Sequence, residues 1–273
     1  MELPQSFTVL DSVELHKTDD DNVFVCHVTG LSDALQSEMR EKLVSVCLGL
    51  AKAERNLPSS SYSRTLEEFL IRYRTKPANT KKGMIGEFLA HILIRHLLDN
   101  FSPVSPFFNM EERSIKKAFD IVFRCNETGG IWLTEVKAGN KRAQTIKQKN
   151  YNLLNLAKRS LRAQMMGDEN HVWYNAMNGA QISIQENSVR DEIERILDDY
   201  LVRAQDGVIA TEDFNVVLTS VVYANDDELI VLNDLEQKKI DIENENFFNA
   251  VIVFSIQKET YQAVEQFLQS EVP

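Results

Sequence analysis

Two apolar runs separated by a glycine turn constrain this chain most. The first reads Ala118-Phe119-Asp120-Ile121-Val122-Phe123 and the second Ile131-Trp132-Leu133-Thr134-Glu135-Val136-Lys137, with Asn126-Glu127-Thr128-Gly129-Gly130 between them. β-Branched and aromatic runs flanking a short glycine-containing loop predict a β-hairpin. Side chains alternate along a strand, so Glu135 and Lys137, two apart, share a face. A correctly registered hairpin brings Asp120 beside them.

The rest of the chain predicts an α/β sandwich with a mixed sheet. Residues 7–29 read as a pair of strands turned at Asp19-Asp20-Asp21-Asn22. Ser32-Asp33 opens a helix towards Arg55, with Leu35, Met39, Leu43 and Val46 at helical spacing. A shorter helix follows over about 65–73, then the segment 76–80, whose composition marks a linker. Residues 1–80 are therefore expected to form an N-terminal α+β region, and 81–273 a second domain with a C-terminal extension. Further helices are predicted over 82–100, 144–166, 188–205 and 259–270, the third opening on a capping-box pattern, Ser188-Val189-Arg190-Asp191. Strands are predicted over 214–223, 228–232 and 250–256.

Composition excludes several classes. At 273 residues, with 43% hydrophobic and 26% charged residues, the chain has the make-up of a soluble globular protein. No apolar run approaches the roughly 20 residues that span a bilayer, and the first six residues do not resemble a signal peptide. Cys26, Cys47 and Cys125 are scattered and odd in number, as expected of reduced core thiols in a cytoplasmic protein. A net charge of −11 argues against a protein that coats nucleic acid over its whole surface. The distribution is uneven, however. Between Val136 and Gly167 there is no acid, while Lys137, Lys141, Arg142, Lys147, Lys149, Lys158, Arg159 and Arg162 all fall there. Such a local basic patch suits phosphate binding; the plainer account is a solvated helix face.

Two carboxylates and an ammonium at one place could hold a hard divalent cation and a water or phosphate, the parts that phosphodiester hydrolysis needs. An acid two residues before a lysine is common by itself. Its place on an apolar strand, the partner acid one hairpin upstream, and Glu87 among Ile85, Phe88 and Leu89 add weight, because a charge in apolar surroundings needs a partner. Glu87 could equally pair with Lys82 or Arg95. His91 and His96, five apart on an apolar helix, read as structural residues. Trp132 reads as core; Trp173 and Tyr174 could stack bases.

These residues resemble the PD-(D/E)xK nuclease superfamily: Gly86-Glu87 in the first core helix, Asp120 on a strand, Glu135-Val136-Lys137 on the next, and a basic helix after it, over roughly residues 82–165. The resemblance implies a restriction-endonuclease-like core, a mixed sheet flanked by helices with N-terminal and C-terminal extensions. It also implies that Asp120 and Glu135 bind Mg²⁺ or Mn²⁺, that Lys137 orients the attacking water or stabilises the transition state, and that Glu87 is an auxiliary metal ligand or orients one. Gln148-Lys149-Asn150-Tyr151 is similar to the glutamine-x-x-tyrosine motif of RecB-like members. Phe119 stands where the family has a proline. The expected nucleic-acid contacts are Lys141, Arg142, Lys147, Gln148, Lys149 and Tyr151, with DNA or RNA as ligand. Within the superfamily, size and layout are similar to the nuclease subunit of the Hachiman anti-phage defence system, which implies a helicase partner; the lack of a long apolar run leads us to expect no membrane partner. The alternative is a catalytically silent nucleic-acid-binding or interaction subunit of the same fold; the retained acids and lysine speak against decay.

Overall fold

A computed structural model describes residues 6–108, 119–166, 171–208, 210, 213–225 and 227–272. The first five residues and Ala118, the expected start of the first hairpin strand, lie outside these. Among the described residues one eight-stranded sheet runs through the molecule. Its strands are β1 (Ser6–Val9), β2 (Val13–Lys17), β3 (Val23–Val28), β4 (Phe101–Pro103), β5 (Ile121–Cys125), β6 (Ile131–Asn140), β7 (Asn215–Tyr223) and β8 (Ala250–Lys258). They lie in the order β1-β2-β3-β8-β7-β6-β5-β4.

The four central strands, β3, β8, β7 and β6, are mutually parallel, and antiparallel hairpins extend both edges. This arrangement follows from composition. β7 and β8 are buried along nearly their whole length and read as almost continuous apolar runs, as strands covered on both faces must.

Helices cover both faces. One face carries α1 (Asp33–Leu48), α3 (Tyr62–Arg74), α4 (Ala78–Leu97) and α9 (Gln262–Ser270), packed around Leu43, Phe69, Phe88 and Phe254. The other carries α5 (Ile146–Met166), α6 (His171–Ser183), α7 (Asn187–Gln205) and α8 (Leu232–Glu243), around Leu153, Leu161, Trp173, Leu197 and Leu235. This is the α/β mixed-sheet architecture expected. Cys26, Cys47 and Cys125 are buried thiols, and no helix among the described residues is long and apolar enough to cross a membrane.

Five local expectations need correction. The N-terminal strand pair is three strands, because Leu10 and Asp11 adopt left-handed backbone (φ +50° and +55°) and turn β1 into β2 without a glycine or asparagine signal. The helix from Ser32 stops at Gly49 (φ +87°) and resumes as the short α2 (Leu50–Glu54). A Cβ at Gly49 would lie 2.6 Å from Ser183 Oγ, so α6 closes on the break. The segment 76–80 already contains the start of α4, with Pro77 before its first residue. The Ser188 capping box does not form: α7 begins one residue earlier, and the Ser188 hydroxyl donates to Glu186 Oε1 at 2.7 Å. Residues 228–232 form no strand. Gln257 Oε1 instead accepts from Ile230 N at 2.9 Å, and Leu232 opens α8. A buried amide from β8 thus overrides the strand propensity of that run.

Candidate active site and basic cavity

The hairpin register sets the site. β5 pairs antiparallel with β6, with Ile121 opposite Thr134 and Val122 opposite Leu133. One step beyond, Asp120 falls opposite Glu135, just ahead of β5. Asp120 Oδ2 accepts a hydrogen bond from Val136 N at 2.7 Å. Glu135 is only 2% exposed, and Lys137 Nζ donates to its Oε1. The three side chains singled out in the sequence therefore meet at one point on the sheet.

Two polar groups of α5 complete the surroundings. Ser160 Oγ donates to Glu135 Oε1 at 2.8 Å and Gln164 Nε2 to Oε2 at 3.4 Å. Sequence reasoning took α5 for its cations and missed these two. A signal was present: Ser160 and Gln164 continue the helical stripe of Leu153 and Ala157, so polar groups sit where apolar ones would face the sheet.

Burial, then the neighbouring Asp120 charge, push the Glu135 carboxyl up to about 7, against the opposing pull of Lys137 and Ser160. Burial would lower the Lys137 ammonium, but Glu135, Asp120 and Glu87 outweigh it and hold the group above its ordinary value. Glu87, buried on α4, thus acts on the same lysine from the other helical layer. Gly86 allows that approach: a Cβ there would lie 2.6 Å from Ala138 Cβ on β6 and 3.2 Å from the Tyr223 hydroxyl. Neither the strand nor a methyl fixed to it can yield cheaply. Gly86→Ala is expected to cost about 1–3 kcal/mol of stability through this overpacking, read as a lowered midpoint in urea unfolding.

The basic segment does not form one patch. Lys82, Arg142 and Lys149 line a cavity of about 510 Å³ at the carboxyl end of β6, together with Asn79, Gly139, Asn140 and Gln144. Burial, then Arg142 and Lys82, lower the Lys149 ammonium, as expected where cations crowd together. Gly139 makes room for it, since a Cβ there would lie 2.9 Å from Lys149 Nζ. The carboxyl ends of parallel strands are where open α/β sheets bind ligands.

The remaining expected nucleic-acid residues have partners within the chain. Lys141 pairs with Glu228 and Lys147 with Asp234, each at 2.7 Å. Tyr151 donates its hydroxyl to the Asp234 carbonyl at 2.6 Å. Gln148 Oε1 accepts from Thr145 N while Thr145 Oγ1 accepts from Gln148 N, both at 3.2 Å, a capping box at the start of α5. Lys158 pairs with Glu245. The acidic C-terminal half therefore pairs with Lys147 and Lys158 of α5, while Arg159 and Arg162 are exposed. Trp173 is buried against Phe119 and Phe214, and Tyr174 is exposed.

Fold and site together define an α/β protein with an acid–acid–lysine cluster on one sheet face, Glu135 buried and Asp120 and Lys137 half-buried, beside a cationic cavity. The chain belongs to the HamA family, whose model matches residues 5–271. That family places it in the Hachiman anti-phage defence system, a multi-protein system. The searches of curated proteins and of solved structures return no match.

Proposed function

We propose that this chain is the nuclease of its defence system, hydrolysing phosphodiester bonds in DNA with Mg²⁺ or Mn²⁺ and working with a helicase partner. The observation that carries this reading is the meeting of Asp120 and Lys137 around the buried Glu135. Once Glu135 gives up its proton, two carboxylates face one ammonium, and the all-oxygen donor set of the two acids suits a hard divalent ion. Asp120 and Glu135 would hold it. When bound, such an ion supplies charge neutralisation at the phosphoryl oxygen and acidifies a coordinated water.

The chain's own residues do the rest. Lys137 keeps its proton and supplies a fixed positive charge to stabilise the negative charge on the phosphoryl oxygens. Ser160 and Gln164 hold the Glu135 carboxylate in one orientation. Lys82, Arg142 and Lys149 offer a phosphate-binding cavity close to the end of the same strand. Lys141, Lys147 and Lys158 are paired within the chain, whereas Arg159 and Arg162 stay exposed and line an opening with Lys158 and Lys238.

Plasmid cleavage with Mg²⁺, Mn²⁺ or EDTA, with and without the helicase partner, tests the reading. Cation-dependent cutting that disappears in Glu135→Ala/Lys137→Ala supports it. DNA binding without cutting by either protein under any condition supports the silent alternative instead.

Two further outcomes are expected. The folded chain retains the Glu135 proton up to about 7, whereas the ordinary carboxyl value is 4.5. Between these values the folded state binds more protons than the unfolded one, so this group's contribution to stability falls as pH rises through that window. A cation must displace that proton. Its affinity should therefore rise from pH 6 to pH 8, and equal calorimetric affinities at both would remove Glu135 from the ligand set. Lys149→Ala should weaken DNA binding across all sequences and reduce the salt slope by about one. Lys147→Ala, already neutralised by Asp234, should change it less; a larger effect at Lys147 would move the DNA path off the cavity.

A further inference from the structure

The β2–β3 hairpin, at the far side of the sheet, carries a second constellation. Glu14 on β2 lies directly opposite His27 on β3, and His16 follows two residues along the same face. One donor atom from each of the three lies within 4.8 Å of the others. Glu14 Oε1 and His16 Nε2 are 3.1 Å apart, and the two imidazole rings stand with centroids 5.3 Å apart.

His27 separates this group from an ordinary surface ion pair. It is only 6% exposed, and its Nε2 lies 3.0 Å from the carbonyl oxygen of Ile230. A carbonyl can only accept, so Nε2 carries the hydrogen and Nδ1 of the neutral ring keeps its lone pair. That Nδ1 is buried with no hydrogen-bond partner among the described residues. A buried acceptor without a partner is uncommon in folded proteins and calls for an explanation. A ring whose N–H is fixed by a backbone carbonyl, leaving the other nitrogen bare, is the arrangement that orients metal-binding histidines.

We propose that Glu14, His16 and His27 form a binding site for a transition-metal cation of the Zn²⁺ class, separate from the Asp120–Glu135 pair. Two imidazoles and a carboxylate are the ligands such borderline ions select, whereas Mg²⁺ prefers oxygen alone. Three protein ligands leave a fourth position for water. Glu14 and His16 are half-buried and can adjust, while His27 is fixed. The bound ion would brace more than the hairpin. Ile230, which His27 holds, also donates its N–H to Gln257, and Gln257 donates at 2.9 Å to the carbonyl of Glu228. Glu228 in turn pairs with Lys141 just beyond β6. The site thus anchors the segment that leads into α8.

The test uses the full-length chain stripped with EDTA and then supplied with excess Mg²⁺, so that the carboxylate pair is occupied. Titration with Zn²⁺ should show one site per chain and raise the melting temperature, and Co²⁺ should give a visible ligand-field absorption band. Glu14→Gln/His16→Ala should weaken Zn²⁺ binding at least about tenfold and abolish the Co²⁺ band. Should that variant not fold, the single His16→Gln at its half-buried position provides the same comparison. Zn²⁺ affinity unchanged by these substitutions, or no Co²⁺ band in the parent chain, would overturn the proposal. Neither outcome depends on nuclease activity.

Discussion

Asp120→Ala is expected to reduce cation-dependent DNA cleavage by about a thousand-fold, the scale seen when one preorganised electrostatic group is removed from a reaction centre. Its carboxylate lies opposite Glu135 and contributes to the field that lifts the Glu135 carboxyl. The same side chain also accepts the Val136 N–H, so alanine removes a backbone hydrogen bond worth about 1 kcal/mol. Asp120→Asn separates the two roles. Its amide oxygen can still accept from Val136 N, yet it brings no charge. It should unfold at nearly the parent's denaturant midpoint while losing cleavage as fully as alanine. A gel assay in which either variant cuts at the parental rate would remove Asp120 from the reaction centre.

Trp173→Ala is expected to cost about 3–5 kcal/mol, the range for deleting a large aromatic from a core. Trp173 is 1% exposed and packs against Phe119, Tyr200 and Phe214, with ring centroids 5.2, 5.5 and 5.6 Å away. Phe119 immediately precedes Asp120, so the cavity would open directly behind a proposed metal ligand. Cation affinity should fall along with stability, and Trp173→Phe should restore most of both. Denaturant unfolding gives the first quantity and calorimetry the second. A loss of less than about 1 kcal/mol, within reach of a surface substitution, would show that α6 is not a firm support for the hairpin.

The contrast between Trp173 and Glu135 indicates where sequence reading succeeded. Glu135, Lys137 and Asp120 were legible because a hairpin register is a local property. Alternation fixes the face, and a glycine turn between two β-branched runs fixes which residues oppose. The helices α1, α4, α5 and α7 were legible for a similar reason, since an apolar stripe at helical spacing recurs within a few residues. α6 was not: His171–Ser183 carries Gly179 and few strong helix formers, and contacts with α7 hold it in place. The same holds for α8, where Gln257 captures the backbone of a run that reads as strand.

Sequence by itself determined the α/β class, the acid–acid–lysine cluster and the position of the basic segment, because each is written in local patterns: strand alternation, helical spacing and a single hairpin turn. Tertiary structure alone decided which basic residues remain available. Lys141, Lys147 and Lys158 meet acids 87 residues away along the chain, while Lys149 turns towards Lys82 and Arg142. It also decided that Ser160 and Gln164 face Glu135, and that His27 lies opposite Glu14 with one ring nitrogen unused. The physical reason is common to all of these. Charge pairing and burial depend on distance in space, and a local pattern fixes that distance only as far as its own strand, turn or helix extends.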